Sequence, residues 1–306
     1  MTPRFWLPSL AVLTLGGVAP GDSPAAEAST AIQAAPMQRA KVDGVELEYQ
    51  LIGSGEPVVL VHAGVFADWF EPLLKEPALT GQFRVLTYHR VGYAGSSKVA
   101  GPVSLADQAT QLRGLMRALK IDRAHLVGHS SGANIIMQLA LDSPDMVRSL
   151  ALLEPALQVS PHGAGPPSRT LPAREKYQAG DKAGAVDAFL KLVAGPDYRP
   201  ALDKALPVAF DHAVADADTF FGQELPAIQQ WTFTRDEGSR ITQPVLAVIG
   251  EKSPAVSPIW TQRQDMLLNW LPNAQPFVLG GATHLLQLQN PHDLAEALAK
   301  FFANNK

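Results

Sequence analysis

"AHLVGHSSGANIIMQLALDSP", residues 124–144, decides the fold. Its centre, "GHSSG", is a G-x-S-x-G pattern with Ser130 in the middle. At this chain's glycine and serine content that pattern arises by chance in about one such sequence in ten, so its frame has to carry the reading. "HLV" before it reads as a buried strand, and "ANIIMQLAL" after it opens an apolar helix. A strand that turns into a helix within a few residues strains the central Ser and lifts its Oγ clear of the sheet. Gly128 and Gly132 fit such a turn, because a Cβ at either place would meet neighbouring backbone. The helix N-terminus then directs its unpaired N–H groups and its dipole at the reacting centre.

The same kind of strand recurs along the chain. "VVLVHAG" (58–64), "FRVLTYHRVGYAGSS" (83–97), "VRSLALLEPA" (147–156), "PVLAVIGEKS" (244–253) and "AQPFVLGGATH" (274–284) each carry an apolar run into a loop of small or polar residues. Continuous apolar runs are the mark of strands buried on both faces, as in a parallel sheet. "VDGVELEYQLIG" (42–53) alternates instead and predicts an antiparallel hairpin turning at Asp43-Gly44. "SLADQATQLRGLMRALKI" (104–121) has helical spacing, with Ser104 as N-cap and Asp107 three residues on. "DLAEALAKFFAN" (293–304) reads as a closing amphipathic helix. The fold class is therefore α/β, a mostly parallel sheet flanked by helices. From about 157 to 240 the pattern changes to a Gly/Pro-rich loop and short helical segments, which predicts a helical cap inserted into the one domain, 41–306.

Composition narrows the function. The chain has 306 residues, enough for one large domain with a sizeable core. A net charge of −4 supplies no basic field for nucleic acid. The absence of Cys excludes disulfides and thiolate metal sites, and the scattered His residues form no metal motif. The first residues differ from the rest. "MTPR" gives an early positive charge, "FWLPSLAVLTLGGVA" an apolar run, and "PGDSPAAEAST" a small, polar exit. That order predicts a signal peptide over 1–28, export to the periplasm or medium, and a flexible linker over 29–40. Cleavage fits "AEA" at 26–28 or a point nearer Ala19. Pro8 and Gly16-Gly17 break the run too early for a stable membrane span.

On "VHAG", "GHSSG", "GGATH" and the "NP" turn that follows, the chain after residue 40 resembles the α/β-hydrolase fold family, most nearly its capped, non-lipase members. The resemblance implies a chain order of nucleophile, acid, base. Ser130 is then the nucleophile and His284, on the Gly-rich exit from the last strand, the base. Oxyanion donors would be the N–H of Ser131 and that of Gly64, with Val65 as the neighbouring choice. His62 fits a loop-holding role better than chemistry. The acid departs from the common pattern: the usual Asp position, three residues after Gly250, holds Ser253. Two carboxylates compete for the role. Glu154, at the end of the strand before the insertion, is the leading candidate, because some capped members carry their acid there. Glu251 is the alternative.

These residues predict a serine hydrolase that cleaves a small-molecule ester through an acyl-enzyme, with no cofactor. A cofactor-free perhydrolase or a lactone or C–C hydrolase would use the same groups. A Ser at the elbow argues against halide- and epoxide-opening relatives, which use Asp. A non-catalytic binding protein on the same fold would lack a carboxylate near His284. Phe189, Tyr198, Phe210, Phe220, Phe221, Trp231 and Phe233 in the insertion read as packing more than as a binding box.

Overall fold

In the computed structural model, which describes residues 1, 36–159 and 169–306, strands run Gln38–Val42 (β1), Val45–Ile52 (β2), Glu56–Val61 (β3), Phe83–Tyr88 (β4), Ala124–His129 (β5), Val147–Leu153 (β6), Val245–Gly250 (β7) and Ala274–Leu279 (β8). The segment read as a signal peptide and most of the linker lie outside the described residues. The strands form one sheet in the order β1-β2-β4-β3-β5-β6-β7-β8. β1 and β2 pair antiparallel, as do β2 and β4, and every later pairing is parallel. Every residue of β5 and of β7 is buried; β7 is an unbroken apolar run, and β5 is apolar apart from the buried His125 and His129.

The hairpin turns at Asp43 and Gly44, both at positive φ (47° and 85°), the conformation of the tight turn the Asp-Gly pair predicts. Pairing of Gln38 with Tyr49 starts β1 three residues before the boundary read at 41. The helix Leu105–Ala118 opens with the Ser104–Asp107 capping box and buries Leu105, Ala109, Leu112, Leu115 and Met116 against the sheet. Helices Ser131–Asp142, Ile259–Trp270 and Pro291–Ala303 complete the flanks. Between β6 and β7 every described element is helical: Leu171–Gln178, Lys182–Ala194, Tyr198–Ala205, Ala209–Ala215, a three-residue turn Ala217–Thr219, a π-helical turn Phe220–Glu224, Leu225–Gln230 and Arg235–Arg240.

Parallel pairing has one consequence for function. The exits of the six parallel strands, β3 to β8, all fall on the same edge of the sheet, so groups from their loops meet there.

Candidate active site

Ser130 stands between β5 and the helix Ser131–Asp142, at φ 52° and ψ −117°. That region is costly for a residue with a Cβ, on the order of 1–3 kcal/mol, and persists only where surroundings enforce it. Here the Ser130 N–H donates to the Leu153 carbonyl at 2.9 Å, and its own carbonyl accepts from the Ala133 N–H at 3.0 Å. The two glycines let the turn close. A Cβ on Gly128 would lie 2.5 Å from Ala133 Cα, and one on Gly132 only 2.1 Å from the Val61 carbonyl oxygen.

Glu154 follows β6 directly, also at positive φ (44°), and is buried. Its N–H donates to the Val248 carbonyl at 3.1 Å, which ties the turn to β7. The carboxylate is held at both oxygens. Oε1 accepts the Gly250 N–H at 2.8 Å, and Oε2 lies 2.6 Å from His284 Nδ1. Burial pushes the Glu154 carboxyl up to about 7, against the Gly250 N–H and the charge of Arg263, which favour its ionised form. Ser253, at the usual acid position, is buried beside it. Its hydroxyl lies close enough to help hold Glu154 ionised, yet its Oγ reaches no partner at hydrogen-bond geometry among the described residues. Glu251 is exposed, and its Oε2 accepts the Gly281 N–H at 2.7 Å, so it braces the loop leaving β8 and does not meet the imidazole.

His284 is buried between two rings, stacked on Trp260 at 4.2 Å and tilted against His129 at 4.6 Å. Burial and the nearby Arg263 charge push it down to about 3, so its imidazole is neutral at neutral pH and free to accept a proton. With Nδ1 directed at Glu154, Nε2 is the free acceptor. His129 holds the His284 main chain: its Nε2–H donates to the His284 carbonyl at 3.0 Å while Nδ1 accepts from Gln287 at 3.0 Å.

Ser130 and His284 line one cavity of about 660 Å³, together with Gly64, Val65 and Ser131. Ser131 is the first residue of its helix, so its N–H has no intrahelical acceptor. Val65 takes φ 79°, another strained position on the same edge. His62 holds the intervening loop: Nε2 accepts the Arg90 N–H at 3.0 Å and Nδ1 donates to the Ala63 carbonyl at 2.6 Å. Of the insertion aromatics, Phe189 and Phe220 line the cavity and Tyr198, Phe221 and Phe233 are buried in packing. His89 bridges Glu48 and Asp68 and does not line the cavity.

One cluster has no counterpart in the sequence reading. Glu224, on the π-helical turn, is buried and receives Arg90 Nη2 at 2.8 Å, the Tyr93 hydroxyl and the Ser131 hydroxyl. It joins the insertion to the loop after β4 and to the residue next to Ser130. Its sequence neighbourhood, "FFGQELP", gives no periodic signal for burial of a charge.

Among the described residues no group of three His, Cys, Asp or Glu could hold a metal ion, and no helix is long and apolar enough to cross a membrane.

Known proteins place the chain. A family model described as the alpha/beta hydrolase fold matches residues 56–291. A 2-(acetamidomethylene)succinate hydrolase of Mesorhizobium japonicum is 26% identical over 277 residues, covering 86% of this chain and 94% of that protein. A dihydrolipoyllysine-residue acetyltransferase component of an acetoin cleaving system, from Cupriavidus necator, is 34% identical over 138 residues, and the match spans only 37% of its length. The solved structure of Est816, described as an N-acyl homoserine lactone degrading enzyme, superposes with a TM-score of 0.70 at 26% identity, covering 86% of this chain and all of that one. On these grounds the chain belongs to the alpha/beta hydrolase fold family.

Proposed function

We propose that the chain is a serine hydrolase that cleaves a small carboxylic ester through an acyl-enzyme. The observation that carries this reading is the buried 2.6 Å contact between His284 Nδ1 and Glu154 Oε2, where His284 lines the same cavity as Ser130. His284 Nε2 takes the proton of Ser130 as Oγ attacks the carbonyl carbon. The oxyanion is held by the N–H of Ser131 and that of Gly64, with Val65 beside it. Glu154 keeps Nδ1 protonated, so Nε2 is always the accepting nitrogen, and it stabilises the imidazolium that forms. His284 then returns the proton to the leaving alkoxide, and water repeats the sequence on the acyl-enzyme. The Mesorhizobium japonicum relative's name marks it as a hydrolase, and Est816 is described as degrading a lactone, a cyclic ester open to the same steps.

The test is fluorophosphonate labelling and a screen of p-nitrophenyl esters and simple lactones, with wild type and Ser130→Ala. Labelling of Ser130 and turnover lost in Ser130→Ala are expected. Folded wild-type protein that neither labels nor turns over any ester would refute the reading. We also propose export through the first 28 residues, tested by N-terminal sequencing of periplasmic protein. Recovery of an intact Met1 chain from the cytoplasm alone would refute it.

A further inference from the structure

The cavity wall carries information about the substrate beyond its reacting carbonyl. Among the described residues no Asp or Glu lines it, but two arginines do, Arg169 and Arg263. Each spends little of its guanidinium on the protein. Arg169 Nη1 donates to Ser257 Oγ at 2.6 Å, and Arg263 Nε donates to the Leu157 carbonyl at 2.8 Å. A guanidinium has five N–H donors. Among the described residues, neither arginine pairs with a carboxylate. Glu154 is near enough for Arg263 to feel its charge, yet its two oxygens are engaged by Gly250 and His284.

Arg263 is also held in place. It lies on the helix Ile259–Trp270 one turn after Trp260, with its guanidinium carbon 4.9 Å from the centre of that ring. Trp260 in turn stacks on His284. The Trp260 indole N–H is buried and has no acceptor among the described residues, a further unmet donor beside the arginine. Burial and the like charge of Arg169 together push Arg263 down to about 10. Arg263 is half-buried and Arg169 exposed, so both guanidiniums can meet a counter-charge that arrives with a ligand in the cavity they line. Part of the remaining wall, with Phe189, Leu190, Phe220 and Ile228, is apolar and suits a hydrocarbon chain.

We propose that Arg263 and Arg169 form an anion subsite that binds a carboxylate carried by the substrate, apart from the carbonyl that Ser130 attacks. The substrate class is then an ester or lactone with a free acid group, for example a half-ester of a dicarboxylic acid. The planar guanidinium fork matches a carboxylate, and two cations in one cavity repel a cationic substrate. This inference rests on the serine-hydrolase reading above.

The experiment compares matched pairs that differ only in charge: p-nitrophenyl hydrogen glutarate against its methyl ester, and 4-acetoxybenzoate against its methyl ester. The quantity read is the ratio of kcat/KM, charged over neutral, in wild type, Arg263→Gln and Arg169→Gln. We expect a wild-type ratio of about ten or more in at least one pair, falling at least about fivefold in each variant through KM of the charged member. A merely structural arginine would lower both members alike and leave the ratio unchanged. A wild-type ratio at or below one in both pairs, or a ratio unmoved in both variants, would overturn the subsite. Calorimetric titration of glutarate into Ser130→Ala separates the two readings. Ser130-dependent turnover of neutral esters, with no charge preference and no glutarate binding, keeps the hydrolase and removes the subsite. Glutarate binding that is lost on adding Arg263→Gln, without Ser130-dependent turnover of any ester, keeps the subsite and removes the hydrolase.

Discussion

Replacing Glu154 by Gln removes one charge and keeps the shape. The Gln carbonyl can still accept the Gly250 N–H, as Oε1 does now. Its NH₂ group then faces His284 Nδ1, where Oε2 stood at 2.6 Å. Two donors cannot share that contact, so the imidazole moves its proton to Nε2, the nitrogen that has to accept from Ser130. The lost charge adds a second penalty. With charge centres about 4 Å apart and an effective dielectric near 20, the carboxylate stabilises the imidazolium by about 4 kcal/mol. At about 1.4 kcal/mol per decade that alone is roughly a thousandfold in rate. With the wrong tautomer added, kcat/KM for p-nitrophenyl acetate should fall by about 10³–10⁴, the scale seen for the equivalent change in a serine protease. Thermal unfolding should stay close to wild type, because no cavity opens. Glu251→Gln is the control: its carboxylate is exposed and accepts only a loop N–H, so a loss below about tenfold is expected. Glu154→Gln retaining activity within tenfold of wild type, or Glu251→Gln abolishing it, would refute the assignment.

Three further outcomes follow from the same geometry. Activity needs Glu154 ionised and His284 neutral; burial raises the first to about 7 and lowers the second to about 3. The profile of kcat/KM should therefore rise with pH to a midpoint near 7 and then level, as a property of the pair; a profile flat down to pH 5 would contradict it. Glu224→Gln leaves the buried Arg90 without its counter-charge and should destabilise the fold by about 3–5 kcal/mol in urea unfolding; a loss under about 1 kcal/mol would show that the cluster is not holding the insertion. Gly132→Ala drives a Cβ to 2.1 Å from the Val61 carbonyl and 2.6 Å from that of His62, both backbone, so soluble protein should be lost. A variant that expresses and melts like wild type would mean the elbow can relax.

Much of the sheet is written locally. A strand covered on both faces is mostly apolar, so "HLV" and "PVLAVIG" announce β5 and β7 without knowledge of their partners. Asp43-Gly44 and the Ser104–Asp107 box mark their elements because the residues that need special backbone angles or capping bonds lie within a few positions. The positions of Ser130 and His284 follow from chain order and loop composition. What stays hidden is long-range and polar. Glu224 meets Arg90, Tyr93 and Ser131 across more than ninety residues of chain, and nothing near "FFGQELP" distinguishes a buried carboxylate from a solvated one. Trp260 and Arg263 are three apart, the spacing of one helix face, yet their approach to His284 depends on where the helix packs. His129 is similar: its place inside the elbow is visible, but its bond to the His284 carbonyl spans 155 residues.

The backbone itself argues that this edge is built for chemistry. Six described residues other than Gly take positive φ: Asp43, Val65, Ala94, Lys120, Ser130 and Glu154. Three of them, Val65, Ser130 and Glu154, follow β3, β5 and β6 at the edge where the cavity opens. A β-branched Val, a Ser and a Glu are poor choices for that region on local grounds, and each costs on the order of 1–3 kcal/mol. Hydrogen bonds between neighbouring strand exits hold Ser130 and Glu154: Ser130 N–H to Leu153, Glu154 N–H to Val248, and Gly250 N–H to the Glu154 carboxylate. Each bond passes from one strand to the next across β5, β6 and β7. The proposed acid therefore does not need the position after β7. The Gly250 N–H, leaving β7, reaches back to orient a carboxylate rooted on β6, and Ser253 is free to be a small buried residue beside it.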